Sequence, residues 1–207
     1  MFARSSTILA QASMIDAGMA HVRDEVMPSM RGIDGYAGLS LMIDRESGRC
    51  IATSSWQSEE AMRASAGRVD DIRNRAADAF GGTAEVEEWE VGLMHRAHPA
   101  PDGACVRVTW TRAGDLSQID RAIDVVKLGA LPSVEQLEGF CSASLLVNRG
   151  NGRAVMAVTY DDRDALARTR EQGAAVRAST IRDAGLEMLD VGEFELALAH
   201  LHVPEMV

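Results

Sequence analysis

The sequence predicts an α+β protein made of two tandem copies of one strand–helix–strand–strand–helix–strand unit. Three observations support this class. The phrase SLMIDRESGR at Ser40–Arg49 returns 104 residues later as SLLVNRGNGR at Ser144–Arg153. Each copy contains segments with the two-residue apolar period of strands and segments with the apolar spacing of helices. RAHPAPDG at Arg96–Gly103, with two prolines, a glycine and no apolar period, separates the copies.

The match between the copies runs through nearly the whole chain, as expected for a tandem duplication. MPSM at Met27–Met30 falls on LPSV at Leu131–Val134 with the same shift of 104. One residue is gained near the end, where EWEVGLMH at Glu88–His95 matches EFELALAH at Glu193–His200. We therefore predict a first repeat over residues 1–96, a linker over 97–103 and a second repeat over 104–207.

Each copy opens with a short strand and an amphipathic helix. FARSSTI and CVRVTWT are the predicted front strands. Pro28 and Pro132 are predicted to end or bend the helix, because proline pushes the preceding residue out of the α region. Apolar residues recur at helical spacing at Ile15, Met19, Val22 and Val26.

A hairpin, a second helix and a last strand complete each copy. YAGLSLMID at Tyr36–Asp44 alternates in polarity, and the turn residues RESG reverse it into the next strand. Ser58 and Asp162 are predicted N-caps of helices that run to about Ala79 and Ile181. Gly81–Gly82 and Gly185 are predicted to end these helices. The predicted last strands are AEVEEWEVGLMH and LEMLDVGEFELALAH.

This order of elements is the ferredoxin-like plan, with an antiparallel sheet under two helices. The sheet face away from the helices is a mixture of polar and apolar residues, too apolar to leave fully wet. Two such sheets facing each other would bury it. The fold prediction is therefore two tandem ferredoxin-like (βαββαβ) repeats packed as an intramolecular pseudo-dimeric α+β barrel.

Composition and charge exclude several classes of partner. The chain of 207 residues carries a net charge of −10, which repels phosphate backbones and argues against nucleic acid. No apolar stretch is long enough for a membrane span, and the N-terminus lacks the apolar run of a signal peptide. Three isolated cysteines without a C-x-x-C pair indicate a cytoplasmic location.

The segment GIDGYAGLSLMIDRESGRCIATSSWQSEEAM resembles the antibiotic-biosynthesis-monooxygenase type of dimeric α+β barrel. In that family a glycine and an aromatic residue open the second strand, and a tryptophan closes the third before an acidic helix start. The second copy keeps the pattern more loosely, with Tyr160 in place of Trp56. Haem-degrading members add a strand asparagine and a helix histidine, which both copies lack, so the resemblance does not imply haem degradation. We expect no cofactor and no metal.

Four residues are candidates for substrate binding. Trp56 and Tyr160 would line an aromatic pocket, or else anchor the sheet to its helix through packing area. Trp110 ends a front strand where the first copy has Ser6, an asymmetry that would leave one pocket filled and the other open. His21 would act as a general base in a helix–sheet pocket, or else lie on the surface.

Other residues have a functional and a structural interpretation. His200 and His202 share a strand face and would form a metal site, or else are strand-end histidines satisfied by solvent. The hairpin arginines would bind an anion, or else pair with neighbouring acids. These arginines are Arg45, Arg49, Arg149 and Arg153.

Two functions remain open. One is a cofactor-independent, monooxygenase-like enzyme that acts on a small aromatic or quinol-type molecule, as the resemblance implies. The alternative is a non-catalytic small-molecule-binding or interaction module of the same fold. Exposed strand edges would favour a homodimer of the fused pseudo-dimer.

Overall fold

A computed structural model describes residues 1–201 and 204–206, with Leu201 described by its backbone alone. Within these residues, eight strands and eight α-helices follow the predicted order in each copy, and each predicted helix is divided into two. The strands are β1 Phe2–Leu9, β2 Tyr36–Ile43, β3 Arg49–Trp56, β4 Ala84–Arg96, β5 Cys105–Ala113, β6 Phe140–Val147, β7 Arg153–Tyr160 and β8 Leu186–Leu201. The helices are α1 Ile15–His21, α2 Met27–Arg31, α3 Glu59–Ala64, α4 Ala66–Phe80, α5 Ile119–Val125, α6 Leu131–Val134, α7 Arg163–Arg168 and α8 Arg170–Ala184.

The strands are hydrogen-bonded in the order β1-β3-β2-β8-β5-β7-β6-β4, which closes into a barrel. The predicted fold class, a pseudo-dimeric α+β barrel of two ferredoxin-like repeats, is confirmed. A closed barrel leaves none of its strands with a free edge, so the edge argument for a homodimer is wrong. The homodimer itself stays a prediction.

The chain divides into two compact units, and both cuts fall inside long strands. Unit 1 comprises Met1–Trp89 with the part of β8 that starts at Leu196. Unit 2 comprises Glu90–Glu195 with residues 204–206. The predicted repeat boundaries concern the duplication of the sequence, and they stay a prediction.

The predicted helix caps are confirmed. The side chains of Ser58 and Asp162 accept hydrogen bonds from the N–H groups of Ala61 and Ala165. Gly81 has φ of 70° and Gly185 has φ of 64°, the left-handed conformation that favours glycine at a helix end. The second helix of each copy is nevertheless divided in two, at Ser65 and at Thr169. Their hydroxyls donate to carbonyls of the preceding turn, to Met62 at 2.7 Å and to Ala165 at 2.9 Å, and such bonds bend helices.

The prolines do not end the helical path of either copy, so the expected ending is wrong, while the alternative, a bend, stays a prediction. A π-helical turn, Val22–Val26 or Val126–Ala130, stands directly before each, and the chain then continues into α2 or α6. Proline lacks an N–H and crowds the carbonyl four residues earlier. In a π turn the hydrogen bonds span five residues instead of four, so the carbonyls before the proline are paired differently. The helical path therefore continues past the proline. Both copies keep this feature at equivalent positions.

The front strands are equivalent with a shift of 103 rather than 104. Thr7 pairs with Ile51 in β3, and Trp110 pairs with Val155 in β7. Trp110 therefore corresponds to Thr7, and the predicted correspondence to Ser6 is wrong. The register also makes Arg107 the counterpart of Arg4.

Each unit has its own apolar core between its helices and its strands. The core of unit 1 contains Trp56, Met62 and Phe80, and that of unit 2 contains Tyr160, Leu166 and Phe140. Among residues 1–201 and 204–206, no helix combines the length and the apolar character that crossing a membrane requires.

Candidate functional site

A buried arginine on the front strand links sheet and helix in unit 1. The side chain of Arg4 is 4% exposed, and all three of its nitrogens donate hydrogen bonds. Nε and Nη2 bond to the Glu88 carboxylate at 3.0 and 2.7 Å, and Nη2 also bonds to the Met62 carbonyl at 2.9 Å. Nη1 donates to the Ser65 hydroxyl at 3.3 Å. This arginine is fully satisfied by the protein.

The counterpart in unit 2 keeps this arrangement except for one bond. Arg107 is 5% exposed; its Nε and Nη2 donate to Glu193 at 3.2 and 2.9 Å, and Nη2 donates to the Leu166 carbonyl at 2.7 Å. Thr169 replaces Ser65, but its hydroxyl donates to the carbonyls of Ala165 and Leu166 instead. Within the described residues, Nη1 of Arg107 has no hydrogen-bond partner.

That nitrogen lies at the wall of a cavity between the helices and the strands of unit 2. The cavity has a volume of about 90 Å³. Its walls come from β5, β6, β7, the first helix with its π turn, and α8. Most of the lining is aliphatic, and the polar lining residues are Arg107, Thr109, Thr111, Tyr160, Arg177 and Thr180.

The equivalent space in unit 1 is smaller, about 40 Å³, because larger side chains fill it. Val69 stands where unit 2 has Gly173, and Phe80 stands where unit 2 has Ala184. A Cβ atom on Gly173 would lie 2.9 Å from Nη1 of Arg107. Glycine at this position therefore keeps the space beside the guanidinium open.

A second arginine on α8 lines the unit 2 cavity without an acidic neighbour on its helix. In unit 1, Arg73 donates to the Asp70 carboxylate at 2.9 Å. In unit 2, Arg177 stands at the equivalent position, but Ala174 replaces the aspartate. Among the described residues, Arg177 forms no ion pair. The cavity of unit 2 thus combines two guanidinium groups with one nearby carboxylate, that of Glu193.

The pKa values reflect this burial and this charge. Burial lowers the pKa of Arg177, and the positive charge of Arg107 lowers it further. Burial raises the pKa of the Tyr160 phenol, an effect that Arg107 partly offsets, so the phenol keeps its proton at neutral pH. The guanidinium carbon of Arg107 lies 5.5 Å from the centre of the Tyr160 ring. One end of the cavity is therefore cationic and rich in donors.

The structure separates the four predicted binding residues. Tyr160 lines the cavity of unit 2. Trp56, its counterpart, is fully buried in the core of unit 1, where its indole N–H donates to Ser54 at 3.1 Å. It lines neither of the unit 1 cavities described here. The binding role of these residues stays a prediction.

The other two lie away from the cavity of unit 2. Trp110 alternates along β5 with the cavity-lining residues and meets the Phe194 ring edge-on at 6.1 Å between centroids. His21 borders a separate, polar groove of about 250 Å³ in unit 1, together with Glu25 and Arg75. Both of those charged neighbours are exposed, so this groove faces solvent.

Within the described residues, one group of side chains has the spacing of metal ligands. His98, Cys141 and Asp161 bring one ligand atom each within 4.8 Å of one another. Hydrogen bonding accounts for this group, because the Cys141 thiol donates to Asp161 at 3.3 Å. Burial, with the Asp161 carboxylate as a further cause, raises the pKa of this thiol to about 12, which opposes the thiolate that a metal requires.

The remaining predicted sites consist of histidines near the strand ends and of the hairpin arginines. His95 lies between the carboxylates of Glu135 and Glu205, so protein groups rather than solvent alone satisfy it. His202 falls outside the described residues, and the predicted pair with His200 cannot be placed. Two of the hairpin arginines pair with acids: Arg149 bonds to Glu90 and Asp120, and Arg45 bonds to Asp16.

Sequence reasoning missed Arg107, Arg177 and Gly173, which define the cavity. Arg107 stands inside an ordinary strand sequence, and nothing in its type indicates a site. The differences between the two copies would have revealed it, because three pairs place a small residue in unit 2. These pairs are Val69/Gly173, Asp70/Ala174 and Phe80/Ala184.

The fold is that of the antibiotic-biosynthesis-monooxygenase-like barrels. A Lactobacillus acidophilus NCFM protein assigned as a monooxygenase superposes with a TM-score of 0.70 at 11% identity, over 97% of this chain and 96% of its own. An anthrone oxidase-like protein matches with a TM-score of 0.67 at 12% identity, over 99% and 94%. A Listeria monocytogenes 4b F2365 ferredoxin-fold protein related to antibiotic biosynthesis monooxygenases matches with a TM-score of 0.54 at 9% identity, over 94% of each chain. At these identities the likeness concerns the fold alone.

The chain belongs to the same family as two proteins of Mycobacterium tuberculosis strain ATCC 25618 / H37Rv. Uncharacterized protein Rv2557 is 56% identical over 207 residues, which is all of this chain and 92% of that protein. Uncharacterized protein Rv2558 is 52% identical over 208 residues, again all of this chain and 88% of that protein. No family model matches the sequence.

Proposed function

We propose that the unit 2 cavity binds a small aromatic or quinol-type molecule, and that the protein oxidises it without a cofactor. The cavity carries this proposal: aliphatic walls suit a flat ring, and Tyr160 and two arginines at one end orient its polar group. Solved structures of the same fold include the anthrone oxidase-like protein, which supports the reaction class.

The chemistry balances without an external reductant. A ring CH₂ activated by a neighbouring carbonyl reacts with O₂ to give a ring C=O and one water. One oxygen atom enters the product, and the other leaves with both hydrogens. The cationic end of the cavity would favour the anionic enolate form of such a substrate, since positive charge stabilises an anion in a site of low dielectric.

Oxygen consumption tests this function. A panel of single-ring and fused-ring quinols and of anthrone is supplied to the purified protein, and an oxygen electrode measures uptake against a protein-free control. Gly173→Val should abolish uptake, because it copies unit 1 and fills the cavity beside Arg107. The matched control, Val69→Ala in unit 1, should leave uptake unchanged. No uptake with any member, or equal uptake by Gly173→Val, contradicts the proposal.

A non-catalytic binding module is the second candidate, and the lining of the cavity favours it. Among the residues that line the unit 2 cavity there is no histidine and no carboxylate. The raised pKa of the Tyr160 phenol keeps it protonated at neutral pH, and a guanidinium group has no acceptor, so none of these groups is a ready general base. A saturable rise in melting temperature with an aromatic ligand, without oxygen uptake, would select this function over the first.

Two further proposals concern the setting of the protein. The free thiols of Cys50, Cys105 and Cys141 suit a reducing compartment, and we place the protein in the cytoplasm. We also propose a homodimer, which light scattering of the purified chain would test by its mass.

A further inference from the structure

We propose that the unit 2 cavity selects aromatic carboxylates, and that Arg107 and Arg177 hold the carboxylate group. This inference rests on the cavity being the ligand site of the proposed function, and it names the class of ligand. The ring would lie against the aliphatic wall, and the carboxylate would lie at the cationic end.

The first argument is the free donor of Arg107. A buried N–H without a partner is destabilising, because it has lost its hydrogen bonds to water, so proteins rarely leave one. Unit 1 satisfies the equivalent nitrogen through Ser65, whereas in unit 2 Nη1 has no such bond to Thr169 and lies beside Gly173. Nη1 is thus a buried donor without a partner on a residue that lines the cavity, and a ligand oxygen that reached it would satisfy it.

The second argument is the balance of charge. Glu193 bonds to Arg107 at 2.9 Å and also to Arg170 at 2.9 Å, so one carboxylate serves two guanidinium groups. Arg177 adds a third positive charge, and Ala174 stands where unit 1 supplies Asp70. An anion entering the cavity would compensate this excess.

The third argument is geometry. A carboxylate has two acceptor oxygens, and two separate guanidinium groups line the same cavity. The Tyr160 phenol, which keeps its proton, supplies a further donor. Charge-assisted bonds of this kind are about twice as strong as neutral ones, which favours a carboxylate over an alcohol of the same size.

A matched pair of probes tests the inference by isothermal titration calorimetry. 4-Bromobenzoate carries the carboxylate, and 4-bromobenzyl alcohol carries a neutral group on the same ring. The full-length protein should bind the benzoate at least about tenfold more tightly than the alcohol, as expected for a charge-assisted bond. Arg177→Gln should reduce this ratio to about threefold or less.

Ala174→Asp gives the same test without removing an arginine, because it restores the acid that unit 1 has. It should also reduce the ratio while leaving binding of the alcohol unchanged. Arg73→Gln in unit 1 is the control and should keep the full ratio.

The outcomes separate this inference from the proposed function. If the alcohol binds as tightly as the benzoate, or if Arg73→Gln lowers the ratio as much as Arg177→Gln, the carboxylate inference is wrong and the cavity remains a ligand site. If neither probe binds, both the inference and the proposed site are wrong.

Discussion

Replacing each of the two buried arginines with methionine separates a structural role from a ligand-binding role. Arg4 and Arg107 are equivalent by strand register, almost equally buried, and paired with equivalent glutamates. Every nitrogen of Arg4 is bonded, whereas Nη1 of Arg107 is not. We predict that Arg4→Met destabilises the protein more than Arg107→Met does.

The magnitude follows from the bonds lost. Arg4→Met removes charge-assisted hydrogen bonds to Glu88, whose side chain is 44% exposed, so we expect a loss of about 1.5–3 kcal/mol. Arg107→Met also removes a buried donor that had no partner. Such a donor lowers the free energy of unfolding of the wild type by about 1–3 kcal/mol. Glu193 keeps its bond to Arg170 in that variant. The two free energies of unfolding should therefore differ by about 2 kcal/mol.

Urea unfolding monitored by far-UV circular dichroism measures both values, with the slopes compared to verify that each variant unfolds in the same way. Equal destabilisation, or a larger loss for Arg107→Met, would refute the argument that Arg107 is incompletely satisfied. Addition of 4-bromobenzoate provides the second part of the test, because it should stabilise the wild type and not Arg107→Met.

Three further predictions follow from the described contacts. Phe80→Ala should destabilise the protein by about 3–5 kcal/mol in urea unfolding, because this ring fills unit 1 and is fully buried; a loss below about 1 kcal/mol would contradict that packing. Stability should fall as pH rises above about 9, because unfolded thiols ionise near about 8.5 while buried thiols keep their protons. Burial raises the pKa of Cys50 to about 11 and that of Cys141 to about 12. Cys141→Ala should therefore flatten the dependence of stability on pH, and an unchanged dependence would contradict this prediction. Trp56→Phe should lower stability by about 1–3 kcal/mol through the lost indole hydrogen bond to Ser54 and the lost packing, yet leave binding of 4-bromobenzoate unchanged in calorimetry. Tyr160→Phe should weaken that binding.

The fold could be predicted because its signals are local and occur twice. Ser58 and Asp162 cap helices through bonds within three residues, and Gly81 and Gly185 end helices by their own backbone conformation. Such signals need no knowledge of the tertiary structure. Pro28 does not end the helical path as the sequence predicts, because the rule for proline assumes a regular α-helix and here a π turn precedes it.

The candidate site could not be predicted in the same way, because it is defined by a missing bond and by small residues. Arg107 looks like Arg4 in the sequence, and only the structure shows that its Nη1 lacks the bond that Ser65 gives Arg4. Aromatic residues attracted attention, yet Trp56 proved to be core and Gly173 proved to shape the cavity. A comparison of the two copies position by position is the signal that sequence reasoning could have used.

A crystal structure of the protein soaked with 4-bromobenzoate would show directly whether the unit 2 cavity binds an aromatic carboxylate. Anomalous scattering would locate the bromine. We expect one bromine peak in the unit 2 cavity and a carboxylate oxygen within about 3 Å of Arg107 Nη1. Bromine in the unit 1 cavity with none in unit 2, or a carboxylate pointing away from Arg107 and Arg177, would contradict this expectation.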